Sequence, residues 1–71
     1  MREFKLKGEE DFIKLGQLLK AAGLVDSGVE AKYAVEDGKA SVNGEVCTMR
    51  GKKIHDGDVV EFGGESIRVI G

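Results

Sequence analysis

The stretch DSGVEAKYAVEDGKASVNGEV, Asp26 to Val46, carries a helix with a marked start, a marked stop, and a hairpin behind it. Ser27 and Glu30 have the S-x-x-E spacing of a capping box, in which hydroxyl and carboxylate each take up a free backbone N–H of the first turn. On a helical wheel Ala31, Ala34 and Val35 share one face, while Val29, Lys32, Tyr33 and Glu36 point the other way. An inward face built of small residues predicts close packing on a second helix. Gly38 offers the left-handed residue that ends such a helix. Beyond it, KASV and EVCTM flank Asn43-Gly44, a pair that favours a type I′ hairpin turn because both positions take positive φ.

Working outward toward the start, EFKLK (Glu3–Lys7) alternates polar and apolar residues, the pattern of a short edge strand. Asp11 is placed to cap a helix over FIKLGQLLKAA, Phe12 to Ala22, with Gly23 as its stop. Phe12, Leu15, Leu19 and Ala22 then fall on the core side with Leu18 beside them, and Lys14, Gln17 and Lys20 fall on the opposite side. Gly16 in mid-helix costs about 1 kcal/mol against Ala, so another backbone or a ligand is expected to approach closely there. Toward the end, VVEF and SIRVI flank Gly63-Gly64, a second hairpin.

Charge is distributed unevenly. The chain has 11 bases and 13 acids, a net charge of −2. Yet Val46 to His55 contains Arg50, Lys52 and Lys53 and no carboxylate, whereas residues 26–45 hold two bases and five acids. Local potential rather than the total decides what a surface attracts. The segment RGKKIHDGD lies between the two hairpins, so its cations are expected on a loop or strand end tethered on both sides.

A length of 71 residues predicts one domain, 1–71. No apolar run is long enough to span a membrane, and MREFKLKGEED has no apolar core like that of a secretion signal; the expected location is cytoplasmic. Cys47 is the only cysteine and His55 the only histidine, so neither an intrachain disulfide nor a zinc site can be built from them alone. No nucleophile paired with a base, phosphate-binding loop or metal pattern occurs, so no catalytic residues, metal or cofactor are expected. Asp56 and Asp58 around Gly57 read as a turn before a strand.

The string LLKAAGLVDSGVEAKYAVEDGKASVNGEV followed by GDVVEF resembles the S-four RNA-binding domain, also called the alpha-L motif. Leu18-Leu19, Gly23-Leu24, Ser27, Ala31-Lys32, Gly38, Val42-Asn43-Gly44 and Gly57-Asp58 carry the likeness. The short length, LGQLLK, DSGVEAK and MRGKKI are similar to the small stand-alone bacterial YbcJ/YaaA-type members, and that likeness spans nearly the whole chain. The resemblance implies a compact α+β module: two packed N-terminal helices against a small, bent, mostly antiparallel β-sheet, with RNA across the helices and the adjoining loop. Two positions depart from the family. An Arg often follows the helix-start Ser, where this chain has Gly28. An Arg-Leu-Asp triplet often opens the first helix, where this chain has Phe12, Ile13 and Lys14. Both departures shift weight onto Lys32 and the Arg50–Lys53 segment.

The expected function is therefore non-catalytic binding of structured RNA, ribosomal or ribosome-associated, with ribosomal proteins as further candidate partners. Lys32, Arg50, Lys52 and Lys53 would form one positive patch over phosphates. Lys14 and Lys20 would extend it, and Gln17 could hydrogen-bond a ribose or base edge. Arg forks onto phosphate oxygens, while Lys acts as a point charge. The alternative is a protein-interaction module whose basic loop docks an acidic partner. A β-grasp carrier of sulfur or acyl groups fits poorly, because two helices follow each other near the start.

Overall fold

The elements run β1 (Arg2–Lys5), β2 (Phe12–Lys14), α1 (Leu15–Ala21), α2 (Gly28–Glu36), β3 (Ala40–Val42), β4 (Glu45–Val46), β5 (Lys53–His55), β6 (Val59–Phe62) and β7 (Glu65–Ile70). They belong to a computed structural model that describes residues 1–71. Five strands form one sheet in the order β1-β7-β6-β3-β4, and β2 with β5 forms a separate two-stranded sheet. Every pairing is antiparallel except β1 with β7. The α+β class and the mostly antiparallel pairing stand. The expectation of N-terminal helices is corrected: two strands precede them.

The local signals around α2 act as read. The Glu30 N–H donates to Ser27 Oγ at 3.2 Å. The Glu30 carboxylate reaches back one residue further than the simplest box, accepting the Asp26 N–H at 3.2 Å. Ala31, Ala34 and Val35 are the buried residues of α2. Both helices stop as expected, with φ of +77° at Gly23 and at Gly38. At each stop two N–H groups fold back on the last turn: Gly23 to the Lys20 carbonyl and Leu24 to that of Leu19, then Gly38 to Val35 and Lys39 to Ala34. Asn43 and Gly44, at φ 52° and 86°, join β3 to β4, and Gly63 and Gly64, at 59° and 83°, join β6 to β7.

The start of α1 is a correction. Phe12, Ile13 and Lys14 form β2 rather than the first helical turn, and pair with His55, Ile54 and Lys53 of β5. Asp11 caps nothing: the cap position belongs to Lys14, whose side chain makes no capping bond. Instead the N–H groups of Leu15 and Gly16 donate to the carbonyls of Lys52 and Arg50, each at 2.9 Å. The orphan donors that every helix start exposes are thus met by a distant turn. Consequently Phe12 is a half-buried strand residue, not a helical core position, and Ala22 sits half-buried at the edge of the core. Leu18, expected beside the core, is fully buried with Leu15 and Leu19.

The core lies between the helices and one face of the large sheet. Alternate residues Ala40 and Val42, Val60, and Ile67 and Val69 meet the α1 leucines, Ala31 and Val35. Ile54, fully buried, joins the small sheet to the same core. Gly16 lies where the helix and the basic turn approach each other. A Cβ added there would lie 3.4 Å from Arg50 Cβ and 3.9 Å from Ala31 Cβ. The close backbone approach anticipated at Gly16 is that of the basic turn.

Candidate nucleic-acid interface

The basic segment is held as a ridge. The Lys52 N–H donates to the Met49 carbonyl at 3.1 Å, closing a turn around Arg50 and Gly51. The carbonyls of that turn are fixed on α1 as described, so the side chains of Arg50, Lys52 and Lys53 stay exposed. On the helix side lies a groove of about 400 Å³, lined by Lys14, Gln17, Lys20 and Arg50 over Gly16 and Gly28, with no carboxylate in its wall. On the sheet side lies an open depression of about 960 Å³ that carries Lys52, Lys53 and His55 with Asn43, Glu45 and Asp58. Gly51 lines both, at the crest of the ridge.

The β2–β5 pairing places Lys14 directly opposite Lys53. Like charges at opposed positions of an antiparallel pair destabilise it, by up to about 1 kcal/mol. Part of that cost is offset by Lys53 Nζ, which lies 4.9 Å from the centroid of the Phe12 ring. No carboxylate comes within salt-bridge distance of these lysines or of Arg50, although Asp58 lies in the same depression as Lys52 and Lys53. The one salt bridge between permanently charged side chains is Arg2 with Glu65 at 3.4 Å, and His55 Nδ1 lies 3.8 Å from Asp58 Oδ2. Lys14, Lys20, Lys32, Arg50, Lys52 and Lys53 take part in neither.

The structure therefore brings together most of the candidate residues, but not as a single flat patch. Lys14, Gln17, Lys20 and Arg50 share the helix-side groove, and Lys52 and Lys53 face the other slope. Lys32 is half-buried and lines neither depression; it stands one helical turn beyond Gly28. Gly28 opens into the groove, with no atom within 4 Å of an added Cβ.

Asp56 and Asp58 are turn-builders, as the sequence implied. Asp58 accepts the His55 N–H at 2.7 Å and the Asn43 amide at 3.0 Å. Asn43 in turn accepts the Val59 N–H at 2.9 Å, and Asp56 accepts the Gly71 N–H at 2.9 Å. The His55 N–H, and after it the Asn43 amide, holds the Asp58 carboxyl below the usual carboxylate range, against partial burial that raises it. A group lowered on folding stabilises fully above its unfolded value, and that contribution is lost as pH falls through the folded value. This clasp fixes the end of β5, and with it the far side of the ridge. Cys47 is half-buried, its Sγ 3.5 Å from the Met49 carbonyl oxygen.

Two features escaped the sequence. The opposition of Lys14 and Lys53 needs the β2–β5 register, although the strand-forming Phe12-Ile13 beside the Lys-Ile-His of residues 53–55 was a usable signal. The role of Gly28 as open floor shows only when α1 and the turn are placed around it.

Comparison with known proteins agrees with this architecture. The S4 domain family matches residues 4–70. The chain is 39% identical over 70 residues to "Putative RNA-binding protein YbcJ" of Escherichia coli (strain K12), with 99% of each chain covered. It is 41% identical over 56 residues to "Probable ribosome maturation protein RlbA" of Bacillus subtilis (strain 168), with 79% of each covered. The solution structure of Escherichia coli YbcJ, described as revealing an alpha-L motif involved in RNA binding, is similar with a TM-score of 0.73 at 37% identity, covering 100% of this chain and 89% of that one. With that family spanning nearly the whole sequence and a relative aligned end to end, this chain belongs to the S4 domain family.

Proposed function

We propose that the chain is a non-catalytic RNA-binding module for structured RNA, ribosomal or ribosome-associated, that grips phosphates along the ridge and the groove beside it. One observation carries this reading: Lys14 and Lys53 face each other across β2 and β5, next to Arg50, with no carboxylate paired to any of them. Such an arrangement is unfavourable for folding and favourable for holding a polyanion. Lys20 extends the cationic wall, Gln17 supplies a neutral hydrogen-bonding group, and Lys52 carries charge down the second slope. Lys32 contributes long-range attraction from the adjoining turn of α2. The relatives support the class of ligand, since one is named for RNA binding and another for ribosome maturation. Phosphate contacts position a protein on RNA without reading its sequence, so recognition rests mainly on RNA shape.

Salt titration tests the proposal. With about three to five phosphates neutralised, the log–log slope of affinity against salt should be roughly −2 to −5. Changing Lys14, Arg50 and Lys53 together to Gln should flatten that slope by about two to three and leave the fold intact. Changing Lys5, Lys7 and Arg68 to Gln removes the same charge from residues that line neither slope, and should do much less. Equal losses in the two variants would reduce the effect to net charge and end the patch proposal. An absence of binding by the parent to ribosomal RNA fragments at low salt would end the RNA reading itself.

A further inference from the structure

The outer face of α2 has a different character from the groove beside it. Val29 and Tyr33, one helical turn apart, are 62% and 60% exposed, large values for apolar side chains. On the helical wheel Glu36 flanks this pair on one side and Glu30 and Asp37 flank it on the other, with Asp26 just before the helix. All four carboxyl-bearing residues are exposed. None forms a salt bridge. Glu30 is partly engaged at the cap, but Glu36 and Asp37 stand at the C-terminal end of α2, whose last turn contains no base. There the helix dipole is itself negative, so both carboxylates sit where the fold disfavours them. The only cation of α2, half-buried Lys32, stands one helical turn before Glu36 and makes no salt bridge with it.

We infer that this face is a docking surface for a Lys/Arg-rich polypeptide segment that seats an apolar side chain against Val29 and Tyr33. Charge complementarity selects the occupant. Nucleic acid and anionic membrane are repelled by the frame of carboxylates, and a neutral apolar partner would leave that frame uncompensated. A basic segment supplies partners for carboxylates that form no salt bridge within the chain, and the exposed pair supplies an anchor. The inference does not depend on the RNA reading. If both hold, α2 separates two surfaces of opposite sign, and one small domain can join RNA to a basic protein.

Tyr33 is the only tyrosine and the chain has no tryptophan, so its emission reports on this face alone. The experiment titrates the full chain at low salt with a short synthetic peptide of Lys, Arg and Leu, and in parallel with a peptide in which Glu replaces the bases. Saturable change in Tyr33 emission with the basic peptide only is the expected result. The exposed, isosteric double variant Glu36→Gln with Asp37→Asn should weaken binding roughly two- to twentyfold. Val29→Ala, which keeps the fluorophore, should weaken it by up to about tenfold. RNA affinity of the Val29 variant should match the parent, and that of the double variant should not fall. No saturable emission change, or equal binding by parent and variants, overturns the inference. So does a parent that self-associates in sedimentation and buries Tyr33 against a second copy.

Discussion

The two helices begin in different ways. α2 starts on its own residues: the Ser27 hydroxyl accepts the Glu30 N–H, and the Glu30 carboxylate accepts the Asp26 N–H. α1 starts on borrowed ones: the carbonyls of Arg50 and Lys52, from a turn far along the chain, receive its first two N–H groups. A locally capped start can form in an isolated segment. A start capped by a distant turn exists only once the domain has closed. The proposed RNA-gripping side chains stand on that same turn, so the rigidity of the ridge and the beginning of α1 are one structural event.

Removing the anchor of the distant turn should have the largest effect. Ile54 is fully buried, the single inward residue of β5. Ile54→Ala should cost about 2–5 kcal/mol in urea denaturation, and the milder Ile54→Val about 0.5–1.5 kcal/mol should that variant not fold. If the Ala variant unfolds at the parent's midpoint, β5 does not hold the ridge in place, and the contrast between the helices collapses.

Next comes the contact itself. Gly16→Leu pushes a side chain toward Arg50 and Ala31, where even a Cβ meets atoms at 3.4 and 3.9 Å. The expected loss is about 1–3 kcal/mol from overpacking. Hydrogen exchange sharpens the test, since the amides of Leu15 and Gly16 should lose protection before those inside α2. Equal loss in both helices would show that the turn is not the separate support of α1.

A smaller change is expected at the local cap. Ser27→Ala should cost about 1 kcal/mol. Protection at Leu15 and Gly16 should stay as in the parent, and RNA affinity measured well below the melting temperature should not move. A large affinity loss without a stability loss would turn Ser27 from a cap into a contact.

The smallest effect is expected at Asp11. Its spacing is that of a cap, but no bond in the structure gives it that role. Asp11→Ala should shift stability by less than about 0.5 kcal/mol, within the range of ordinary surface changes. A loss near 1 kcal/mol in thermal melting would restore α1 as a self-capped helix starting three residues earlier.

Legibility in the sequence followed the reach of each signal. The Asn43-Gly44 and Gly63-Gly64 turns, the Gly23 and Gly38 stops and the inward face of Ala31, Ala34 and Val35 are all encoded within a few residues of where they act. Phe12 to Lys14 misled because three residues beside a helix carry both periods at once. Their partner strand, Lys53 to His55, decided between them. Of the candidate site, the cations of the ridge are visible as an acid-free run from Val46 to His55, and Lys14, Gln17 and Lys20 are grouped by helical spacing. That Arg50 lines the groove with this group while Lys52 and Lys53 line the neighbouring depression depends on a turn pinned at Gly16, and no local pattern contains that.

By itself the sequence determined the class of the fold, the limits of α2, both hairpins, and the segment kept free of acid. These are set by backbone preference and side-chain period, which act over one or two turns of chain. Only the tertiary structure decided where α1 begins, what packs against Gly16, and that Lys14 and Lys53 stand opposite each other across two strands. Those features come from hydrogen bonds and packing between segments far apart in sequence, whose energy appears only after chain closure has brought them together.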